Sequence, residues 1–353
     1  MDVLVAMSGG VDSSVAAGRL AEAGHRVVGA TLKLWGGESD AGCCSVADVD
    51  DARRVAQVLG IEHHVFNFAE EFERQVVDHF VDAHARGLTP NPCIECNRHV
   101  KFDLLIDRAH RLGFDAVATG HHARIVTRED GLALARGVDA RKDQSYVLGF
   151  LTASRLAGLM LPIGELTKPE VRAEAARLGL RTWDKPDSQD VCFIESRHGR
   201  DGFLRSRLTL TEAAVVDRET NDVVGHVPAA ELVTVGQRRG VGVGADGEPR
   251  YVSRVDVAAG RVEVGRREQV EITRVLLDEA TMTFARRALG DGDRVMAQWS
   301  AHGTAQTATL RATPRWHLEL DQPARPVAPG QTLVFYSSDE PEIVEGTATI
   351  CAP

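Results

Sequence analysis

The chain reads as an α/β protein: a doubly wound parallel-sheet domain, then a small central module and a C-terminal all-β, barrel-like domain. Three observations predict this order. Short apolar runs alternate with helical periodicities through the first half. A glycine-rich turn, Ser8-Gly9-Gly10-Val11-Asp12-Ser13-Ser14, joins the first apolar run to the first helix. From about residue 200, glycine, valine and β-turn signals take over. The divisions expected are 1–200, 201–268 and 269–353.

In chain order, the short apolar run Val3-Leu4-Val5-Ala6 is a strand and Val15 to Ala23 a helix stopped by Gly24. Arg26 to Lys33 is β-rich. A helix begins at Ser45, with Asp48 completing a capping box, and ends at Leu59 before Gly60. His63 to Phe68 is a strand and Phe72 to Ala85 a helix. Pro90, Pro92 and Cys93 form a loop. Asn97 to Leu112 is helical, and Asp115 to Thr119 a strand running into Gly120-His121-His122. In the second half, turns at Asn221-Asp222, Gly236, Gly240 to Gly244 and Asp246-Gly247 separate short strands at Arg250–Val255, Val262–Gly265 and Val270–Leu277. After Gly290-Asp291-Gly292 come Val295–Trp299, Gln306–Ala312, Trp316–Leu320 and Thr332–Tyr336, a set that suggests a barrel or sandwich.

Strand, glycine-rich turn and helix start point backbone N–H groups and a positive helix end at one spot, which suits a phosphate or pyrophosphate. Gly9 and Gly10 permit close backbone approach, and Ser8, Ser13 and Ser14 offer hydroxyl donors. Asp12 is repulsive beside a polyanion unless Mg²⁺ lies between them, so it hints at metal–nucleotide chemistry. An ordinary serine-capped turn is the plainer alternative. The chain has neither Gly-x-x-x-x-Gly-Lys nor Gly-x-Gly-x-x-Gly, so a Walker NTPase and a dinucleotide fold are both unsupported. On a doubly wound sheet, ligands sit beyond the strand C-termini, where Ser8–Ser14, Leu32-Lys33 and Gly120-His121 should converge.

The 353 residues are ample for a core, and no run approaches the roughly 20 apolar residues of a membrane span. No secretion signal is read, so a cytoplasmic location and no membrane partner are expected. Six cysteines in a chain this long are not a disulfide framework. A net charge of −10 argues against a generally sticky nucleic-acid binder, though arginines cluster at Arg197, Arg200, Arg205 and Arg207, at Arg238-Arg239 and at Arg266-Arg267.

Cys93-Ile94-Glu95-Cys96 precedes the helix at Asn97. This is expected to put Cys96 at a helix N-terminus beside Arg98 and Lys101, both features that favour a thiolate. Cys192 lies far downstream in Lys185-Pro186-Asp187-Ser188-Gln189-Asp190-Val191-Cys192-Phe193-Ile194. A zinc site needs two more ligands at chelate spacing, and adjacent Cys43-Cys44 does not supply a second C-x-x-C. A thioredoxin-like dithiol needs a strand directly before it. An iron–sulfur cluster on Cys93, Cys96 and Cys192 with an open fourth position stays possible in principle. Cys43, Cys44 and Cys351 read as buried small hydrophobes.

The Ser-Gly-Gly-Val-Asp-Ser loop resembles the pyrophosphate loop of ATP pyrophosphatases, which adenylate a substrate oxygen. Further segments narrow this: Thr31-Leu32-Lys33-Leu34-Trp35, Asn91-Pro92-Cys93-Ile94-Glu95-Cys96-Asn97, Lys101-Phe102-Asp103, Ala118-Thr119-Gly120-His121, Lys142-Asp143-Gln144-Ser145-Tyr146 and Lys185 to Ile194. With Gly236-Gln237-Arg238-Arg239-Gly240 and Gly330-Gln331 to Phe335-Tyr336, the whole chain resembles the tRNA-specific 2-thiouridylase family.

The resemblance implies ATP-dependent 2-thiolation of the wobble uridine, position 34, of tRNA. ATP with Mg²⁺ would bind at Ala6, Met7, Ser8, Gly9, Gly10, Val11, Asp12 and Ser13, with Leu32 and Gly120 beside adenine and ribose, and Asp12 on the metal. Cys192 would carry a persulfide and Cys96 would be the nucleophile, the two pairing in an alternate disulfide. Asn91, Pro92 and Cys93 match target-base contacts. His121, Lys142, Asp143, Gln144 and Gln331 match tRNA contacts, although a hydrogen-bonded histidine and a solvated lysine are the plain readings of His121 and Lys142. Implied partners are tRNA, a sulfur-donor relay protein or cysteine desulfurase, and a reductant. Two positions depart from the family pattern. Cys93 stands where some members carry an aspartate, and an Arg-Tyr pair aligns with Gln298-Trp299, which loses a phosphate contact. The alternatives are another adenylating amidotransferase or ligase, or a non-enzymatic sulfur-relay or tRNA-binding protein.

Overall fold

The computed structural model describes residues 1–35, 45–187, 191–194, 198–242 and 247–352. The expectations for Cys43 and Cys44, for Ser188 to Asp190, for Arg197 and for Gly244 and Asp246 lie outside the described residues.

The first half contains strands β1 (Asp2–Ala6), β2 (Arg26–Lys33), β3 (Glu62–Asn67), β4 (Ala116–Thr119), β5 (Ala123–Arg128), β6 (Gly131–Arg136) and β7 (Leu159–Met160). Five of them form one parallel sheet in the order β3-β2-β1-β4-β7, as a doubly wound domain requires. Val3, Leu4 and Val5 are wholly buried, which is why β1 reads as a continuous apolar run rather than an alternating one. Helix α2 (Val46–Leu59) runs as its capping signals predict. The Ser45 hydroxyl accepts from Asp48 N at 3.2 Å, and Gly60 closes the helix at φ +67°.

Helix α1 (Val11–Glu22) begins earlier than the apolar spacing predicts. The Ser14 hydroxyl donates back to Gly10 O at 2.7 Å, so residues 11–14 are already helical and Gly10 is the extended N-cap. The loop expected at Pro92-Cys93 is likewise a helical turn, Pro92–Glu95. The Asn91 side chain caps Cys93 N at 3.1 Å and proline occupies the first helical position. The chain then continues as a wider π-type stretch, Cys96–Leu104. Cys96 therefore does not sit at a helix N-terminus but one turn inside. A similar π-type stretch, Glu73–Val77, interrupts the helix expected over 72–85. The β5–β6 hairpin and the helix Lys168–Arg177 were not read from the sequence, although Asp130-Gly131 marks the hairpin turn and a Thr167–Glu170 capping box marks the helix start.

Strands β8 (Ala213–Asp217), β9 (Val223–Val227), β10 (Tyr251–Asp256) and β11 (Arg261–Gly265) make a four-stranded sheet in the order β10-β11-β8-β9. The last six strands, β12 (Ile272–Phe284), β13 (Arg294–Gln298), β14 (Gln306–Arg311), β15 (His317–Ala324), β16 (Thr332–Ser337) and β17 (Val344–Ile350), close into an antiparallel barrel. Closure removes the sheet edges. The apolar signal at Val270–Leu277 marks only the first part of β12, and β17 carries too many small residues to stand out.

The barrel docks on the α/β domain through a buried seam. Tyr146 donates its hydroxyl to Thr332 O at 2.7 Å, and Ser145 and Tyr336 hydroxyls lie 3.0 Å apart. Val334, Tyr336 and Val344 of the barrel share one apolar cluster with Leu4, Val117 and Phe102. The hairpin adds Arg136 N to Glu342 O at 2.8 Å.

Candidate active site

The C-terminal ends of β2, β1 and β4, neighbours in the sheet, bring the three expected loops together. Thr31 donates its hydroxyl to Met7 O at 2.8 Å, fastening the end of β2 to the start of the glycine loop. Gly9 has φ +73°, and a Cβ there would stand 2.3 Å from Asp48 O in the first turn of α2. Gly120 lies on the first turn of α1, where a Cβ would be 2.4 Å from Ser13 N. Both positions therefore exclude a side chain. Met7, Val11 and Leu32 are buried beneath the loop, whereas Ser8 is exposed and Ala6, Gly10 and Asp12 partly so. Ser8 N donates to the Ser13 hydroxyl at 3.1 Å, while the buried Ser14 hydroxyl is spent on Gly10 O and is no ligand donor.

The charges around this loop were not legible in its motif. Asp12 binds the buried Lys168 ammonium through both oxygens, at 2.7 and 2.8 Å, and lies 3.2 Å from His122 Nε2. Burial raises the Asp12 pKa, but His122 and Lys168 outweigh it and hold the carboxyl below its usual range. Asp187 meets Lys142 at 2.6 Å, Lys168 at 2.8 Å and Arg172 at 3.2 Å. Burial pushes it up too, but hydrogen bonds from Lys142 and Lys168 bring it down to about 2. Lys185 donates to Gly9 O at 3.0 Å and pairs with Asp48 and Asp51 at 2.7 and 2.8 Å. His122, Lys168 and Lys185 thus contact the loop itself, with Lys142 and Arg172 joined to it through Asp187; His122, Lys168 and Arg172 were missed from the sequence. One signal was available: Lys168 opens a helix whose Thr167–Glu170 capping box is otherwise regular, a place where the helix dipole disfavours a cation.

Cys96 is buried, and Cys192 is partly exposed against the same apolar cluster. Phe193, next to Cys192, is enclosed by Trp35, Phe72, Phe80 and Phe203, with ring centroids 5.1 to 6.2 Å away. Cys93 is exposed. Among the described residues no three His, Cys, Asp or Glu side chains gather to hold a metal, so Cys93, Cys96 and Cys192 form no ready cluster site. Asp12 is ionised and partly exposed, but both of its oxygens are bonded to Lys168, so a Mg²⁺ with phosphate and water as its other ligands would bind there by taking an oxygen from that ammonium.

The positions matched to tRNA contacts are mostly engaged internally. His121 is buried, bonded to Thr119 Oγ1 at 2.7 Å, and burial lowers its pKa to about 3. This is the hydrogen-bonded histidine of the plainer reading. Asp143 binds Arg136, Gly137 N and Ser145, and the Gln144 side chain accepts from His122 N at 2.9 Å. Gln298 is buried and accepts from Arg136 of β6 at 2.8 Å. Its charge is matched by Asp143 and its guanidinium stacks on Tyr336 at 3.7 Å. Trp299 is half-buried against the barrel core. Gln331 donates to Thr89 O at 2.6 Å, bracing the segment before Asn91 and Pro92.

The family model described as the tRNA methyl transferase HUP domain matches residues 1–196, and that described as the tRNA methyl transferase PRC-barrel domain matches 201–266. A tRNA-specific 2-thiouridylase of Mycolicibacterium smegmatis is 47 % identical over 99 % of both chains, and one from Salinispora tropica is 47 % identical with the same coverage. Among solved structures, a U34-tRNA thiolase from Methanococcus maripaludis is 18 % identical with a TM-score of 0.37, covering 58 % of this chain and 63 % of that one. That likeness is too distant to carry weight. The full-length relatives are not, and the chain belongs to the tRNA-specific 2-thiouridylase family, tRNA sulfurtransferases on the ATP pyrophosphatase fold.

Proposed function

We propose that this tRNA 2-thiouridylase acts on wobble uridine 34 in two steps, divided between the glycine loop and the two cysteines. The single observation that carries the reading is that Lys168 and Lys185 bind the glycine loop at Asp12 and Gly9 O, with Lys142 and Arg172 joined to Lys168 through Asp187. ATP lies along Ala6 to Ser13 with adenine and ribose beside Leu32 and Gly120. Backbone N–H groups of the α1 start and the nearby ammonium groups take up the charge of the departing pyrophosphate. Asp12 would hold Mg²⁺, which supplies charge neutralisation for the phosphates. Uridine O2 attacks the α-phosphorus, pyrophosphate leaves, and the oxygen becomes part of an AMP leaving group.

Cys192 brings sulfur as a persulfide loaded by a relay protein or a desulfurase. The Cys96 thiolate attacks Cys192 Sγ, forming a Cys96–Cys192 disulfide and releasing hydrosulfide. Hydrosulfide adds at C2 and AMP departs, giving 2-thiouridine. A cellular reductant then supplies two electrons to reopen the disulfide. Asn91, Pro92 and exposed Cys93 line the pocket for the flipped base. Lys142, Gln331 and Trp299 lie toward the RNA, while His121, Asp143, Gln144 and Gln298 set the surfaces behind them. The chain is organised as a catalytic domain over 1–200, a central module over 201–268 and a barrel over 269–353. It works in the cytoplasm; among the described residues no helix is long and apolar enough to cross a membrane.

The test is incubation with ATP, Mg²⁺, a competent sulfur donor and unmodified tRNA, followed by nucleoside analysis. 2-Thiouridine is the expected product, and its absence overturns the reading. Cys96→Ser and Cys192→Ser should each abolish thiouridine while leaving tRNA-dependent pyrophosphate release in place. An adenylating ligase of another kind would keep full activity in both variants.

A further inference from the structure

His63, on β3, takes no part in the site described above, yet it stands two hydrogen bonds from the glycine loop. Its Nε2 lies 2.9 Å from the buried Thr31 hydroxyl on β2, and that hydroxyl lies 2.8 Å from Met7 O. Met7 N donates to Ala30 O at 2.8 Å, so β2 holds both backbone groups of the residue that opens the loop. Gly29 leaves the room for this approach: a Cβ there would stand 2.5 Å from Met7 Sδ and 3.1 Å from His63 Cδ2.

The proton count sets the direction of this relay. A threonine hydroxyl has one proton to give, and a carbonyl oxygen only accepts. The Thr31 proton therefore points at Met7 O, and Thr31 Oγ1 accepts from His63 Nε2–H. His63 is then neutral with its proton on Nε2, and its buried Nδ1 has no hydrogen-bond partner among the described residues. Burial, helped by the charge of Arg53, lowers its pKa and keeps the ring in that form. A donor on Thr31 Oγ1 fixes the hydroxyl rotamer and polarises the bond to Met7 O. Thr31 also directly precedes Leu32, so the same contact steadies the end of β2.

We propose that His63 is a positioning residue for nucleotide binding: its Nε2–H holds the Thr31 hydroxyl on Met7 O and so sets the start of the glycine loop, and Leu32 beside it, before ATP arrives. The inference rests on the ATP-dependent reading above and adds a residue from a third strand to the nucleotide site.

The experiment uses the full chain without tRNA. Affinity for an ATP analogue bearing a methylene between the α and β phosphorus atoms is measured by calorimetry, with urea unfolding as the check on folding. His63→Leu should weaken binding roughly fivefold, the scale of one neutral hydrogen bond. His63→Gln, whose amide nitrogen can take the place of Nε2, should restore affinity to within roughly twofold of wild type. A merely structural role for the ring would give no such rescue. In a Thr31→Val background, His63→Leu should cost nothing further, since the relay acts through that hydroxyl. Heteronuclear NMR spectra of the imidazoles, assigned with His63→Gln, should show His63 neutral and protonated at Nε2. Wild-type affinity in His63→Leu, no rescue by glutamine, additive losses in the double variant, or a proton on Nδ1 overturns the relay and leaves the thiolation reading intact. If His63→Leu does not fold, the glutamine variant and the spectra decide. No analogue binding by the wild type overturns both.

Discussion

His121 and Asp187 each bind protons less readily in the folded chain than in the unfolded one, for opposite reasons. Burial disfavours the His121 imidazolium and brings its pKa to about 3. At Asp187 burial acts the other way, but Lys142 and Lys168 win and hold it at about 2. In both cases the unfolded state takes up more protons as pH falls, so stability is lost on acidification. The His121 contribution is present above its unfolded pKa of about 6.5 and declines below it; the Asp187 contribution is present above about 4 and declines toward 2. Urea unfolding at a series of pH values should show His121→Asn flattening the pH dependence between about 6.5 and 4, and Asp187→Asn flattening it only below about 4. A His121→Asn curve parallel to wild type across that window would contradict the burial argument. At Gly120, alanine brings a Cβ against Ser13 N, so Gly120→Ala should cost about 1–3 kcal/mol and abolish ATP binding, measured by urea midpoint and calorimetry. The glycine loop was legible because its residues are contiguous. Lys168 was not, because its partners Asp12 and Asp187 are distant in the chain and meet only in the fold.

At the level of elements, caps and turns were read more accurately than chemistry placed on them. Ser45 and Gly60 bound α2 as predicted, because an N-cap hydroxyl and a left-handed glycine act on their immediate neighbours. The same logic applied to Asn91 and Pro92 would have found the helical turn that displaces Cys96 from a helix start. What the turn does instead is bury Cys96 against the cluster that also packs Cys192. Phe193 is the element that holds the second cysteine there, by filling a pocket of four aromatic rings. Phe193→Leu should lower stability by only about 1 kcal/mol, a change of shape more than of apolar volume. It should lower the rate of thiolation far more than that of pyrophosphate release, since adenylation does not need Cys192. Equal losses in both rates would remove the positioning role.

Across the whole molecule, the barrel and the α/β domain share one apolar cluster and a buried polar seam. They should therefore unfold together. Tyr146→Phe leaves Thr332 O without its partner and should cost about 1–2 kcal/mol, lowering one shared urea transition and not splitting it. Separate transitions, followed by barrel tryptophan fluorescence and far-ultraviolet dichroism, would show that the seam is weak. The sequence by itself determined the alternation of strands and helices, the pyrophosphate loop, the barrel strands and the two cysteine segments, because backbone preference and motif chemistry act over a few neighbouring residues. Only the tertiary structure decided that Lys168 joins Asp12 to Asp187, that His121 is buried and that Arg136 meets Gln298. Charge pairing and burial act through space, and their partners are set by how the sheet, the hairpin and the barrel pack.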